Sequence, residues 1–356
     1  MNPIDEILHK ALQMQRVTNL EAEQLFDSGD LLDLGFVARK NMQHRNKDGI
    51  ITFVIDRNIN YTNICDTKCK FCAFYKTEQD TEGYVLSYEQ IYEKIEETIA
   101  HGGTQILMQG GTHPTLPFEY YLELIRNIKE KYPVIHIHSF SPPEIWHFSK
   151  ISGLTLEKVI SELKAYGLDS IPGGGAEILV DRVRKRVSPN KISADQWIEV
   201  MRVAHHLGMK STATMVFGLG ETYQERIEHF QRIRDLQDET GGFTAFIPWS
   251  FQPNFTELGG KASTSYDYLR TLAISRIYLD NVPNIQASWV TQGGKMAQIA
   301  LYFGGNDFGG TMLEENVVRA AGTQNKVPLQ EILTLIKDTG YTPAKRNTKY
   351  EIIETY

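Results

Sequence analysis

The sequence predicts an α/β fold, a (β/α)8 barrel with a helical N-terminal extension and a small C-terminal extension. Eight short β-branched or apolar runs alternate with helical patterns, and nearly every run ends in a small or polar segment. Eight units over 356 residues favour a barrel over a doubly wound sheet. The predicted strands are Thr52–Ile64, Thr104–Gln109, Val134–Ser139, Leu168–Ile171, Lys210–Phe217, Phe243–Trp249, Asn284–Trp289 and, weakest of all, Ala300–Phe303.

The segments between these runs have helical spacing and recognisable ends. Three begin with a capping box, in which a Ser or Thr precedes Gln or Glu by three positions, and three end at a glycine. The capping pairs are Ser87 with Gln90, Ser193 with Gln196, and Thr222 with Glu225, and the terminal glycines are Gly167, Gly208 and Gly241. We expect residues 1–50 to form the N-terminal extension, 51–310 the barrel, and 311–356 a C-terminal helical segment packed on it.

Composition excludes several classes of protein. Hydrophobic residues make up 41% of the chain and charged residues 23%, as in globular proteins. The net charge is -7 and the pI is about 5.8, so no overall basic field favours nucleic acid or an anionic membrane. The N-terminus lacks the basic and apolar regions of a signal peptide, and no stretch approaches membrane-spanning length. A cytoplasmic location is expected.

The three cysteines all lie within eight consecutive positions, as Cys65, Cys69 and Cys72. An odd, clustered set is not a secreted disulfide framework. Three thiolates on one short loop can bind three corners of a [4Fe–4S] cluster, which leaves the fourth iron open for the amino and carboxylate groups of S-adenosylmethionine. A structural zinc site would need a fourth Cys or a suitably spaced His, and unrelated buried cysteines would not crowd a loop that contains Lys68 and Lys70.

Further candidates follow the other strands, each with a structural alternative. Gly110 and Gly111 either expose backbone to a ligand or make an ordinary turn. His136 and His138 share a strand face, and His138, nearer the mouth, either contacts a ligand or is hydrogen-bonded core. Glu177 after a triple glycine either binds the cofactor or begins a helix.

Two more segments have a functional and a structural reading. The basic run contains Arg182, Arg184, Lys185 and Arg186, which either form a solvated face or hold a carboxylate. Asn306 and Asp307, in a glycine-rich segment, either contact substrate or form a plain turn.

With CDTKCKFC, QGGTHP, PGGGAE and GGNDFGG, the sequence resembles the radical S-adenosylmethionine superfamily. It is similar to the group that contains biotin synthase, the tyrosine-cleaving thiamine enzyme, the deazaflavin-cofactor synthases and the futalosine-pathway enzymes of menaquinone synthesis. The likeness runs from about Phe53 to Ala321. DRNINYTNICDTKCKFCAFYK, IHIHSFSPPEI and FGGNDFGGTMLEENVVRAAG look most like the cyclases of dehypoxanthinylfutalosine, with aminofutalosine synthases and deazaflavin-cofactor synthases as alternatives.

The resemblance implies a [4Fe–4S] cluster on the three cysteines, S-adenosylmethionine as second cofactor, and an electron donor such as flavodoxin or ferredoxin. It implies cofactor contacts from Phe71, Gly110, Gly111, Thr112, Ser139 and Glu177, and catalytic roles for His138, Glu177 and Asp307. Thr112 stands where the superfamily has an acid, so Glu177 is a candidate for recognising the methionine amino group.

The implied reaction begins when a 5′-deoxyadenosyl radical takes the C4′ hydrogen of the substrate ribose. The carbon radical then adds to a benzoate ring, and loss of an electron and a proton restores aromaticity. An iron–sulfur electron-transfer or sensor protein is the alternative from another class, and a fourth cysteine would favour it.

Overall fold

The computed structural model describes residues 3–46 and 48–356. Met1, Asn2 and Lys47, which belong to the predicted N-terminal extension, lie outside the described residues. The rest of that extension forms helices α1 (Pro3–Leu12), α2 (Asn19–Ser28) and α3 (Leu31–Arg45). These helices pack on the outside of the barrel, where the Phe26 ring stacks on Tyr223 at 4.7 Å between centroids.

The strands of the barrel run parallel around one axis. They are β1 (Ile50–Val54), β2 (Asn58–Ile59), β3 (Gln105–Met108), β4 (His136–Ser139), β5 (Ser170–Ile171), β6 (Lys210–Phe217), β7 (Phe243–Ser250), β8 (Asn284–Ile285) and β9 (Asp307–Gly310). β2 to β8 form one sheet, β1 pairs with β9, and a bridge from Gln286 to Asp307 joins the two sheets. Because β1 and β2 are two halves of one bent segment, eight strand segments close the predicted barrel.

Helices cover the outside of this barrel. They are α4 (Tyr88–Ala100), α5 (Phe118–Lys131), α6 (Pro142–Ser152), α7 (Leu156–Tyr166), α8 (Asp181–Val187), α9 (Ala194–His206), α10 (Tyr223–Thr240), α11 (Ser265–Tyr278), α12 (Trp289–Gln292) and α13 (Gly294–Ala300). The predicted capping boxes at Ser87, Ser193 and Thr222 are all formed. Gly167 and Gly241 take the left-handed conformation at the helix ends, as does Gly208 one position after Leu207.

Two strand predictions are wrong in detail. Ala300–Phe303 ends α13 and continues as a 3₁₀ turn, Leu301–Phe303, because its apolar residues pack a helical face into the core. The eighth strand is β9 instead, inside the glycine-rich segment that we interpreted as a loop. Thr52–Ile64 is not one strand, since its second half turns into the cysteine loop after β2.

The C-terminal segment is more than helical. It contains α14 (Val317–Ala320) and α15 (Leu329–Lys337), followed by β10 (Thr342–Arg346) and β11 (Ile352–Thr355). β10 pairs in parallel with β1, from Ile50 opposite Thr342 to Phe53 opposite Lys345. The last residues of the chain therefore extend the sheet at the N-terminal end of the barrel.

Candidate active site

The cysteine loop follows β2 and is anchored on three sides. Its backbone bonds to the loop after β3 through Asp66 N–H and Thr112 O at 3.0 Å, and to the end of α8 through Lys70 N–H and Val187 O at 2.9 Å. Leu258 N–H donates in turn to Lys70 O at 2.8 Å. The sulfurs are thus held at the C-terminal ends of the strands, where barrel enzymes place their chemistry.

The three thiols are free, and the donor set fits an iron–sulfur cluster. The buried Ser188 hydroxyl faces the Cys69 sulfur and has no other hydrogen-bond partner among the described residues, which leaves a donor for a sulfur-rich group. Burial raises the pKa of Cys72 to about 11 and raises that of Cys69. Deprotonation of these two thiols therefore needs a nearby positive charge, which bound iron would supply.

No three His, Cys, Asp or Glu side chains in the described part of the chain converge on a position for a single metal ion. Thiolates around a cubane bind different irons, so a cluster does not require such convergence. A mononuclear zinc site does require it.

The loop after β3 holds the cysteine loop. A Cβ on Gly111 would lie 2.1 Å from Ile64 O, and one on Gly110 would lie 2.5 Å from the Tyr61 ring. These glycines therefore let two loops pack together, and contact with a ligand remains a prediction. Thr112 Oγ lies 3.3 Å from Cys65 Sγ and donates to Asp66 at 2.5 Å.

Glu177 lies at the wall of the barrel, 5% exposed and with a positive φ of 41°. Its carboxylate pairs with Lys191 at 3.0 Å and lies 3.5 Å from Arg184, a member of the predicted basic run. Lys191 also stands 5.0 Å from the centre of the Phe71 ring. Its charge lowers the pKa of Cys69, against the larger effect of burial. Lys191 thus links the predicted residues Phe71, Cys69 and Glu177.

Sequence reasoning missed Lys191, because it lies in a turn with no motif around it. The nearby basic run was the only signal, and two of its members, Arg182 and Arg186, bond elsewhere. Arg182 pairs with Glu225 at 2.5 Å, and Arg186 donates to Leu219 O.

A cavity of about 230 Å³ occupies the barrel axis. Its walls come from nearly every strand and include Trp249, Trp289 and Ile247 among the apolar side chains. His138, Glu177 and the Gly173–Gly175 backbone also line it, together with Asp56, Gln105, Arg346, Thr348 and Tyr350 at the other end. A small, mostly apolar cavity with a few polar groups is the form of a site for an organic ligand.

His138 is buried at this wall, and its Nδ1 lies 2.6 Å from the Ser170 hydroxyl. The same hydroxyl lies 2.7 Å from His136 Nε2. Burial lowers the pKa of His138 to about 3 and that of His136 to about 4, so both rings are neutral at physiological pH. His138 therefore faces the cavity as an uncharged hydrogen-bonding group, and its catalytic role remains a prediction.

Several predicted site residues are not on the cavity wall, and two of them, Ser139 and Asp307, are buried within the sheet. The Ser139 hydroxyl is fully buried and donates to Met108 O at 2.6 Å, so it is used within the sheet. Asp307 is also fully buried, and its two oxygens accept from Arg346 at 2.5 and 3.0 Å. Both side chains form structural bonds, and the cofactor contact of Ser139 and the catalytic role of Asp307 stay predictions. Asn306 likewise bonds Arg276 and Asn284.

Comparison with known proteins agrees with this geometry. The radical SAM superfamily profile matches residues 59–233, and a profile described as the CofH/MqnC C-terminal region matches residues 240–356. A protein from Halalkalibacterium halodurans named cyclic dehypoxanthine futalosine synthase is 52% identical over 99% of this chain and 96% of its own length. The protein of the same name from Streptomyces coelicolor is 45% identical over 98% and 88%.

A differently named relative and two solved structures extend the comparison. The 5-amino-6-(D-ribitylamino)uracil–L-tyrosine 4-hydroxyphenyl transferase of Methanopyrus kandleri is 43% identical over 86% of this chain and 85% of its own length. Methylornithine synthase superposes with a TM-score of 0.75 at 17% identity, covering 95% of this chain and 97% of that one. The hydrogenase maturase HydG superposes with a TM-score of 0.78 at 16% identity, covering 98% and 76%. These structures share the fold.

Within the described residues, no helix has the length and apolarity to cross a membrane. The family uses a [4Fe–4S] cluster and S-adenosylmethionine, which the three free thiols and the adjoining cavity fit. From its sequence, its barrel and its cysteine loop, the chain belongs to the radical SAM superfamily of enzymes, in the branch that carries the CofH/MqnC C-terminal region.

Proposed function

We propose that this enzyme cyclises dehypoxanthinylfutalosine, a step of menaquinone biosynthesis. The observation that carries the proposal is the 52% identity with a cyclic dehypoxanthine futalosine synthase along nearly the whole of both chains. The cavity at the barrel axis supports it, because an intramolecular ring closure needs two ends of one molecule held together in a confined site.

In this proposal, different side chains bind the cluster, the second cofactor and the substrate. When bound, the cluster and S-adenosylmethionine supply a 5′-deoxyadenosyl radical for hydrogen abstraction. Cys65, Cys69 and Cys72 would hold the cluster. Glu177, fixed by Lys191, would bind the amino group of S-adenosylmethionine, and the apolar side chains of the cavity would confine an aromatic substrate.

The transferase activity named for archaeal relatives is the second candidate. The Methanopyrus protein is 43% identical and covers 86% of this chain, against 52% and 99% for the Halalkalibacterium protein. The cyclase is favoured by this difference. A cytoplasmic location and an electron donor such as flavodoxin or ferredoxin are part of the proposal.

The test is anaerobic incubation of the reconstituted protein with S-adenosylmethionine, a reductant and one of three substrates. Dehypoxanthinylfutalosine should yield 5′-deoxyadenosine and a product two hydrogens lighter, and deuterium at C4′ should appear in the 5′-deoxyadenosine. The other substrates are tyrosine with 5-amino-6-(D-ribitylamino)uracil, and the aminofutalosine precursor. If one of these reacts and dehypoxanthinylfutalosine does not, the cyclase proposal is wrong.

A further inference from the structure

Three acidic side chains line the cavity, and two of them already have close hydrogen-bond or ion-pair partners. Glu177 pairs with Lys191 at 3.0 Å. Glu315 accepts the backbone N–H groups of Val317, Val318 and Arg319 at 3.0 Å, where it caps α14. These bonds hold both carboxylates in place, although burial still raises the pKa of Glu315.

The third acid, Asp56, has a different environment. Asp56 is 4% exposed, and among the described residues its carboxyl group accepts only two long hydrogen bonds, from Gln105 Nε2 at 3.3 Å and Met312 N–H at 3.2 Å. In the described part of the chain it forms no ion pair. A buried carboxyl group with so little compensation is costly, and such groups are concentrated at functional sites.

The position of Asp56 is nevertheless well defined. Its backbone is bonded to the segment after β9, with Leu313 N–H donating to Asp56 O at 3.1 Å. A Cβ on Gly310 would lie 2.1 Å from Asp56 Oδ1, so the absence of a side chain there makes room for the carboxyl group. Gln105, which donates to Asp56, in turn accepts from Thr348 in the C-terminal segment. Hydrogen bonds from two elements thus aim this carboxyl group into the cavity.

We propose that Asp56 is the base that accepts the proton released when the substrate ring regains aromaticity. This inference rests on the proposed cyclisation. After the new C–C bond forms, the attacked ring carbon still carries its hydrogen. That C–H bond breaks, the proton passes to the Asp56 carboxylate, and both electrons of the bond stay in the ring. One electron then leaves to a one-electron acceptor, an oxidised iron–sulfur cluster, which completes the balance.

The acid–base properties of Asp56 suit this task. Burial raises its pKa to about 6, and the negative charge of Asp307 acts in the same direction. The Met312 N–H, the positive charge of Arg346 and the Gln105 amide oppose the rise. A base whose pKa lies near the working pH is both ionised beforehand and able to hold a proton afterwards.

The test compares wild-type protein with Asp56→Asn, which keeps the shape and removes the basicity. Because hydrogen abstraction precedes the proton loss, Asp56→Asn should still make 5′-deoxyadenosine while cyclised product per 5′-deoxyadenosine falls at least tenfold. The rate of product formation by wild-type protein should decline below about pH 6. This decline, the acidic limb of the pH–rate profile, should be absent in the residual activity of Asp56→Asn. Infrared difference spectra of the proteins without cofactor should show a carboxyl group titrating near this pH in wild type only.

Two further variants make the result specific. Gln105→Leu removes a donor that lowers the pKa of Asp56, so the limb should move to higher pH. Glu315→Gln removes a different acid from the same cavity, and whatever its effect on the rate, the limb should stay near pH 6. The Gln105 shift tests the assignment even if Asp56→Asn does not fold.

The two proposals fail in different ways. Wild-type protein that gives no cyclised product from dehypoxanthinylfutalosine would overturn the proposed function and this inference with it. Wild-type protein that cyclises, beside an Asp56→Asn variant with the same product ratio and the same pH limb, would overturn the Asp56 assignment alone.

Discussion

Among single residues, Lys191 has the most consequential position, because its charge stands beside Cys69, Phe71 and Glu177. We expect Lys191→Met to weaken cluster assembly at neutral pH. Without this charge the pKa of the Cys69 thiol rises further, and fewer thiolates are available for iron. Iron bound per chain, measured after reconstitution at a series of pH values, should recover only at higher pH than in wild type.

Lys70→Met is the matched control for this experiment. Lys70 lies on the cysteine loop itself but is 42% exposed and pairs with Glu257 at 3.4 Å. Iron loading should therefore depend on pH in Lys70→Met as it does in wild type. Equal curves for Lys191→Met and Lys70→Met would contradict a role for the buried charge.

Asp56 also affects stability, through its protonation. Its pKa is about 6 in the folded chain and near 3.8 when unfolded, so the folded state binds the proton more tightly. Its contribution is fully present at low pH and is lost as pH rises through the folded pKa. The free energy of unfolding of Asp56→Asn, relative to wild type, should increase by about 1 kcal/mol from pH 5 to pH 8.

Urea unfolding at the two pH values measures this difference. The matched control is Asp238→Asn, whose carboxylate is 42% exposed and pairs with Arg16 on the surface. No comparable increase should occur there. A constant difference between Asp56→Asn and wild type would show that Asp56 titrates normally.

Secondary-structure elements show where sequence reasoning succeeds and where it stops. The capping boxes at Ser87, Ser193 and Thr222 are local signals, since each bond joins residues three positions apart. The strand β9 was missed because Gly309 and Gly310 have the composition of a turn. Its pairing with β1 is made by residues some 250 positions away, which no local pattern encodes.

The attachment of β10 to the barrel gives an element-scale prediction. Asp307 on β9 and Arg346 on β10 form a buried pair at 2.5 Å. Asp307→Asn should lower the free energy of unfolding by about 3 kcal/mol, because it leaves the Arg346 charge uncompensated. Asp307→Asn combined with Arg346→Met should recover part of this loss.

Chemical unfolding of the two single variants and the double variant measures this coupling. An exposed pair provides the control, and Asp238→Asn, which breaks the bond to Arg16, should cost less than about 1 kcal/mol. Additive effects of Asp307→Asn and Arg346→Met would show that the pair is not coupled.

At the scale of the whole molecule, we expect the barrel to stay folded when the cluster is lost. Anaerobic reconstitution should give about four irons per chain and a broad visible absorption that oxygen bleaches. Replacing Cys65, Cys69 or Cys72 by Ala should abolish the absorption and the cleavage of S-adenosylmethionine. The far-UV circular dichroism should be unchanged, since the loop lies outside the hydrophobic core. A chain that binds one zinc tightly and refuses iron would contradict the cluster.

The sequence predicts the part of the site that depends on local motifs and not the part that depends on the fold. The cysteines and the glycine segments carry their meaning in local spacing, and the family comparison confirms the cofactors that they indicate. Lys191, Asp56 and Arg346 carry no such spacing. Their importance comes from burial and from partners on distant strands, so they can be identified only in the folded structure.

The pairing of β1 with β10 has a consequence for how the protein is made. Ile50 lies opposite Thr342, so β1 is synthesised long before its partner β10. Until then its edge is open, and an unpaired edge is prone to join another chain. This side of β1 is covered only after β10 has been synthesised. Truncation after Tyr341, which removes β10, should therefore reduce soluble yield more severely than the small area of the missing strand suggests.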